Sequence, residues 1–315
     1  MRVYHSVDEV PEIKNPVITL GTFDGVHLGH QKIISFLKES AERVDGETVL
    51  FTFHPHPRMV LYPDDHNLEL IQNIKRRTQR LEEEGIDHLI LHPFTKEFAR
   101  QSATEFVRNI LVNKLNVKVL TIGYNHHFGK NREGNIDLLK ELAPIYNFEV
   151  QEIPALRHGE LSISSTKIRR AIKDGDITKA NAFLGAPFNF SGTVVKGDKI
   201  GTQLGYPTAN IGEIEKTQVI PKIGVYAVRV RVEGRLHSGM MNIGYRPTVT
   251  DSSEKRIEVH LFDFDNSIYG TEIEIYVIAK TRDEKSFSSV DELKEQLAID
   301  EINCKRILDQ SPARV

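Results

Sequence analysis

The side-chain periodicity of this chain changes once, near residue 185, and that change constrains the fold more than any other feature. Before it, short apolar runs rich in branched residues lie at 17–20 (VITL), 48–53 (TVLFTF), 88–91 (HLIL) and 118–122 (KVLTI). Such runs suit strands buried on both faces. Helical patterns separate them: Ile33, Ile34, Leu37, Ala41 and Val44 share one face, with Phe36 at its edge. The spacing predicts further helices over 69–84, stopped by Gly85, and over 103–115. Strands alternating with helices predict a parallel sheet with helices packed on it. Beyond 185, the segments 224–232, 235–243, 256–264 and 271–279 mostly alternate in character, the period of half-buried antiparallel strands. Residues 289–309 return to helical spacing, with Leu293, Leu297 and Ile302 apolar among charges. The expected fold is α/β plus β. An α/β domain spans 1–185, a join lies in 184–190 (LGAPFNF), and a small antiparallel β-barrel with a closing helix spans 186–315.

A chain of 315 residues is long enough for two such cores. Its formal charge of −3, with no strongly basic block, argues against nucleic acid as a partner. Cys304 is the one cysteine, which excludes an internal disulfide framework and fits a reducing compartment. No apolar run approaches the roughly 20 residues that span a bilayer, so no membrane is expected. The opening MRVYHSVDEV lacks the apolar segment of a secretory signal. These features favour a cytoplasmic enzyme and leave its oligomeric state open.

Residues 21–30, GTFDGVHLGH, follow a predicted strand and open a predicted helix. A helix N-terminus offers unpaired N–H groups and a positive dipole end, which suits a triphosphate. Gly21, Gly25 and Gly29 let backbone approach a ligand with no Cβ between. His27 and His30 are three apart, so on the first turn they would share a face and donate to phosphate oxygens. A bare His-x-Gly-His is more often a glycine-rich turn with two solvated histidines. A zinc site is disfavoured, since nothing nearby supplies a closed ligand set. FTFHPHP (51–57) ends a strand, IGYNHHFGKNREGN (122–135) follows another, and ISSTKIRR (163–170) offers hydroxyls and a forked cation. Taken singly, these read as a Pro-stopped strand end, a polar surface loop and a helix N-cap with a basic face.

In order, these segments resemble the signatures of bacterial bifunctional riboflavin kinase/FAD synthetases, and GTFDGVHLGH as a whole is close to their first one. The resemblance implies a Rossmann-like nucleotidyltransferase domain over 1–185 that adenylylates FMN. It implies catalytic roles for His27 and His30, and nucleotide or flavin contacts from Gly21, Phe23, Asp24, Gly29, His54, Asn125, Ser164, Ser165, Thr166 and Arg169. Asn125 stands where relatives carry Asp, which keeps a polar contact and alters its charge.

A second set lies beyond the join. GDKIGTQLGYPTAN (197–210) is a glycine-bearing loop running into Pro-Thr-Ala-Asn. Pro207 favours extended backbone before it, and if 207–210 are extended Thr208 and Asn210 point to one side. A hydroxyl and an amide oxygen suit Mg²⁺ on a nucleotide, though an ordinary barrel loop would carry the same residues. With NIGYRPT (242–248) and EVHLFDFDNSIYG (258–270), this string resembles the ordered signatures of riboflavin kinase. The resemblance implies substrate contacts from Gly197, Gly201, Gly205, Pro207, Thr208 and Asn210, Mg²⁺ on Thr208 and Asn210, and Glu258 as catalytic base. Alternation in RIEVHLFDF places Ile257, Val259 and Leu261 on one face and Glu258, His260 and Phe262 on the other. The implied substrates and products are riboflavin, FMN, FAD and ATP. A different nucleotidyltransferase fused to an unrelated barrel would lack the second set. A flavin-binding regulator without catalysis would be expected to lose His27, His30, Thr208 or Glu258.

Overall fold

The computed structural model describes residues 1–64, 68–123, 126–153, 157–158, 161–197, 200–245 and 255–311. It forms two compact units: Met1–Leu68 with Ile74–Ser164, and Glu69–Asn73 with Ser165–Val315.

In the first unit, β1 (Arg2–Tyr4), β2 (Val17–Leu20), α1 (Leu28–Arg43), β3 (Thr48–Phe53), α2 (Pro57–Leu61), α3 (Ile74–Glu83) and β4 (His88–His92) come in chain order. After them come α4 (Ala103–Phe106), β5 (Val119–Gly123), α5 (Ile136–Tyr146), β6 (Glu149–Ile153) and the short pair β7 (Arg157–His158) and β8 (Leu161–Ser162). Six strands make one parallel sheet in the order β1-β4-β3-β2-β5-β6. Strand alternation splits its apolar residues between two cores. Ile18, Leu20, Val49 and Phe51 join one with Phe106 and Leu139, and Val17, Leu50 and Leu89 join another with Ile34, Leu37 and Leu81. Burial on both faces is why these strands read as unbroken apolar runs. The edge strands β1 and β6 carry polar residues (RVY, EVQEI) and gave no such signal.

Two predicted helices differ in detail. The helix expected over 69–84 begins at Ile74. Glu69–Asn73 belongs to the second unit, where Leu70 N–H donates to the Thr217 carbonyl at 2.6 Å and Val219 N–H to the Leu70 carbonyl at 2.9 Å. Backbone pairing outweighs helical spacing there. The helix expected over 103–115 is α only to Phe106 and continues as a π-helix over Val107–Val112. Its wider turn shows in the Asn113 N–H bond to the Arg108 carbonyl, five residues back.

The second unit contains α6 (Ser165–Asp174), α7 (Ile177–Leu184), β9 (Phe188–Val195), α8 (Ile200–Gln203), β10 (Ala209–Gly212), β11 (Gly224–Val232), β12 (Arg235–Tyr245), β13 (Lys255–Leu261), β14 (Glu272–Arg282) and α9 (Val290–Gln310). The strands close an antiparallel barrel in the order β10-β13-β12-β11-β14-β9. Closure leaves no unpaired sheet edge. The compact units therefore divide at Ser164/Ser165, while the periodicity changes near 185. Helices α6 and α7 bury Ile168, Ile172, Phe183 and Leu184 within the barrel's unit.

Helix α9 packs on the outer barrel wall, where Cys304 and Leu308 meet Ala227, Met240 and Phe262. Its buried stripe is Asp300, Cys304 and Leu308, spaced i, i+4, i+8, and Ile302 is exposed. Of the apolar residues read from the sequence, Leu297 packs against this cluster and Ile302 does not, because a cysteine and an ion-paired aspartate occupy the rest of the face. Arg282 binds the buried Asp300 carboxylate through Nε (2.9 Å) and Nη2 (2.7 Å), tying α9 to β14. Burial pushes the Cys304 thiol up to about 12, which makes it an inert packing residue. No described helix is long and apolar enough to cross a membrane.

Candidate active sites

In the parallel sheet, β2 lies between β3 and β5, so the chain leaves β2 toward one side and leaves β5 toward the other. Ligands of such sheets bind beyond the carboxyl ends of strands at the point where the winding reverses. The loops that follow β2 and β5 there are the 21–30 and 122–135 signatures, so topology alone brings these two together.

His27 is the N-cap of α1, and its Nδ1 accepts the His30 N–H at 3.3 Å. With Nδ1 accepting, the neutral ring carries its proton on Nε2, which leaves Nε2–H as a donor. The His27 and His30 rings stack with centroids 3.6 Å apart, and Phe23 packs on His30 at 4.6 Å. His30 is half-buried, and its Nδ1 is buried with no hydrogen-bond partner among the described residues. Burial, with the charges of His27 and Arg77 adding to it, holds the His30 imidazole well below the usual histidine range. The ring is therefore neutral near pH 7, a hydrogen-bonding group rather than a cation.

The glycines of the loop have a steric reason. A Cβ on Gly21 would lie 3.0 Å from the Phe23 ring, and one on Gly29 would lie 3.1 Å from the His27 ring. Gly29 also faces the Ile163 carbonyl, which brings the start of the ISSTKIRR segment beside the loop. Phe23 and Asp24 are buried. His54 is exposed just past β3. Ser164 closes the first unit, whereas Ser165, Thr166 and Arg169 open α6 in the second. Asn125 lies outside the described residues. Its neighbour His126 is held down to about 4, chiefly by burial and then by His127 and Arg132. Sequence reasoning missed an aromatic cluster just beyond the ends of β3 and β4. Phe53 meets Phe94 at 5.0 Å and Phe98 at 5.1 Å, and Phe106 links Phe98 to Phe128.

On the barrel the second set lies on the outer wall, beside the N-terminal half of α9. Register places Asn210 and Asn242 directly opposite Glu258, one on each neighbouring strand. Opposed residues share a face, so the three form one row. Ile257, Val259 and Leu261 are buried on the other face, as the alternation predicts. The row opens into a cleft of about 320 Å³ lined also by Gly201, Tyr206, Thr208, Arg256, His260 and Leu297. His260 Nδ1 donates to the Pro207 carbonyl at 2.8 Å and so fixes the approach to Thr208. A Cβ on Gly197 would overlap the Asn210 amide, and one on Gly201 would overlap the Tyr206 carbonyl. Gly205, at φ +86°, has the left-handed backbone that ends α8.

Arg256 was not singled out from the sequence, although it is two residues before Glu258 on the same face. Its Nε donates to Asn210 Oδ1 at 2.8 Å and lies 3.1 Å from Glu258 Oε1. Arginine only donates, so it fixes the Asn210 amide with its oxygen toward the guanidinium. The donor set here is one hydroxyl and one oriented amide oxygen, hard ligands that fit Mg²⁺ shared with nucleotide phosphates. No cluster of three or more His, Cys, Asp or Glu that could hold a metal ion occurs among the described residues.

These two sites coincide with two family models: FAD synthetase matches residues 10–167 and riboflavin kinase matches residues 184–308. The Bifunctional riboflavin kinase/FMN adenylyltransferase of Listeria monocytogenes is 40% identical over 296 residues, covering 94% of this chain and 93% of its own. The protein of that name from Escherichia coli K12 is 36% identical over 306 residues, covering 97% and 96%. The crystal structure of a protein described as a macrolide-efflux protein from Streptococcus pneumoniae matches with TM-score 0.87 and 32% identity, over 96% of this chain and 98% of that one. The efflux activity belongs to that description, and what the likeness carries here is the fold. With both halves matched in order and near full-length relatives at this identity, the chain belongs to the bifunctional riboflavin kinase/FMN adenylyltransferase family.

Proposed function

We propose that this chain phosphorylates riboflavin with ATP to give FMN and then adenylylates FMN with ATP to give FAD and pyrophosphate, with residues 1–185 serving the second step and 186–315 the first. The observation that carries the reading is the Asn210–Glu258–Asn242 row on the barrel wall, paired with the stacked His27 and His30 at a helix N-terminus.

In the kinase step the 5′-hydroxyl oxygen of riboflavin attacks the γ-phosphorus of ATP, the bond to the β-phosphate oxygen breaks and ADP leaves. The hydroxyl proton passes to Glu258. A neutral alcohol is a weak nucleophile, so a carboxylate held on a rigid strand suits this step. Thr208 and Asn210 would hold Mg²⁺, which would neutralise phosphate charge when bound.

In the adenylyl step a phosphate oxygen of FMN attacks the α-phosphorus of ATP and pyrophosphate leaves. That nucleophile is already an anion and needs no base. Positioning and donors for the developing charge carry the step. His27 Nε2–H and the His30 ring are the proposed donors, and the family resemblance implies further phosphate contacts from Ser164, Ser165, Thr166 and Arg169. The isoalloxazine ring needs flat apolar surface, which the Phe53, Phe94 and Phe98 cluster offers. The reading also places the enzyme in the cytoplasm, acting on small molecules and independent of nucleic acid and membrane.

Incubation with riboflavin, ATP and Mg²⁺, followed by chromatography, tests the whole reading. FMN should appear first and FAD after it, and appearance of neither would refute it. The division at 185 has its own test, because α6 and α7 pack with the barrel. A fragment starting at 165 should phosphorylate riboflavin and resist urea better than one starting at 186. A folded fragment 186–315 without kinase activity would refute the division.

A further inference from the structure

The turn between β2 and α1 has a backbone that few sequences tolerate. Phe23, Gly25 and Val26 have φ of +48°, +88° and +38°. For Gly25 this is ordinary. For Val26, β-branched and fully buried, it is an outlier. Such a conformation persists only where the surroundings over-determine it, and it concentrates at functional sites.

Two side chains grip this turn from outside it. Arg77 on α3 is 3% exposed, and its Nη1 donates to the Thr22 carbonyl at 2.6 Å. Gln31 on α1 donates through Nε2 to the Val26 carbonyl at 3.0 Å. The two bonds take the carbonyls at opposite ends of the strained segment. In a trans peptide the N–H points away from its carbonyl. Holding the Thr22 and Val26 carbonyls toward Arg77 and Gln31 therefore turns the Phe23 and His27 N–H groups the opposite way. The same grip fixes where His27 leaves the turn, and with it the stack on His30.

We propose that Arg77 and Gln31 are positioning residues for adenylyl transfer: together they hold the strained 22–27 turn so that its N–H groups and the His27–His30 pair meet the triphosphate in one geometry. The proposal rests on the adenylyl-transfer reading given above. An arginine serving only to anchor α3 would not be matched by a second clamp on the same turn from a different helix.

The test uses the full chain with Arg77→Lys, Arg77→Gln, Gln31→Ala and Gln31→Glu, and supplies FMN and ATP directly. Displacing a catalytic constellation by about an ångström costs up to about 10²-fold. Gln31→Ala and Arg77→Gln should thus lower kcat for FAD formation by about 10- to 100-fold, with a smaller change in the KM for ATP. Arg77→Lys keeps charge and a donor and should fall between the parent and Arg77→Gln. Gln31→Glu, which sets a carboxylate against a carbonyl, should be at least as impaired as Gln31→Ala. Near-parental hydrogen exchange in β2, β3 and β5 reports that the first unit is folded, and calorimetry with ATP reports binding apart from turnover. Should Arg77 variants fail to fold, the half-buried Gln31 still decides. Parental kcat in Gln31→Ala with only a lowered Tm would overturn the proposal. No FAD from the parent chain would overturn the adenylyl-transfer reading itself, and the clamp with it.

Discussion

The two units hold their candidate sites in opposite ways. In the first unit the candidate groups are on loops and a helix start beyond a parallel sheet, and the backbone there is strained at Phe23 and Val26. In the second they are side chains of paired strands, with Asn210, Glu258 and Asn242 fixed by register. The difference fits the chemistry proposed for each site. An anionic nucleophile needs donors and a positive dipole end, which backbone supplies wherever a helix begins. A neutral hydroxyl needs a base within hydrogen-bond reach, and a strand places one side chain with little freedom. Glycine serves both sites for different reasons. Gly21 and Gly29 admit rings against the loop, whereas Gly197 admits the Asn210 amide.

The sharpest way to break this comparison is to remove both histidines. Removing one preorganised donor typically costs about 10²–10³ in kcat, so His27→Ala with His30→Ala should lower FAD formation by at least about 10³-fold. FMN should accumulate, because the barrel site is separate. Chromatography of both products measures this, and equal loss of FMN and FAD in a folded variant would contradict separate sites. The reciprocal change is Glu258→Gln, which keeps size and one acceptor but is a far weaker base. General-base contributions run to about 10²–10⁴-fold, so the kinase rate should fall within that range while adenylylation of supplied FMN persists. A kinase rate within about threefold of the parent, well short of that range, would remove Glu258 from the chemistry and leave it as one partner of Arg256.

These two residue sets show how much the sequence revealed. The alternation in RIEVHLFDF gave the face of Glu258 correctly, because strand period is fixed by the pleat. It could not give Asn242 as the partner opposite, since register depends on how separate strands meet. The histidine loop was legible from its glycines and its place between strand and helix. The clamps on it were not, since Arg77 reads as one more polar residue on a charged helix, KRRTQRLEE, until the chain is folded. Helix α9 shows the same limit, because the side chain tying it down is Asp300, which no apolar pattern marks.

A third prediction concerns stability and separates packing from catalysis. Asn181 on α7 donates to the Val277 carbonyl at 3.0 Å and the Ile278 carbonyl at 3.2 Å, and its Oδ1 accepts the Phe188 N–H at 2.8 Å. One side chain thus ties α7 to β14 and to the start of β9. Asn181→Ala leaves those backbone groups unpaired, which costs about 1–3 kcal/mol. Urea unfolding should show that loss, with the kinase rate of the folded protein unchanged. A variant as stable as the parent would mean that α7 is not held by this contact.

The smallest expected effect is a difference in acid sensitivity between the units. His30 and His92 are held below the usual histidine range, both chiefly by burial, and His126 is held down to about 4 by the same cause. All three belong to the first unit. An unfolded histidine titrates near about 6.5, so below that pH the unfolded chain takes up protons that these folded rings refuse. Their stabilising contribution is therefore complete above about pH 6.5 and falls as pH drops toward the folded values, about 4 for His126. Each ring contributes at most about 1.4 kcal/mol per pH unit across that window. Carboxylates are held low by partners in both units, Glu47 and Glu105 in the first and Asp283 and Glu292 in the second. Their losses begin only near about pH 4, so pH 5 isolates the histidines. Between pH 7 and pH 5, hydrogen exchange under mild urea should accelerate in β2, β3 and β5 before it does in β11, β12 and β14. Replacing His30 by Asn should reduce that difference. Equal acceleration in both sheets would show that burial of these rings does not set the acid limit of the first unit, and the contrast between the units would then lie in their chemistry alone.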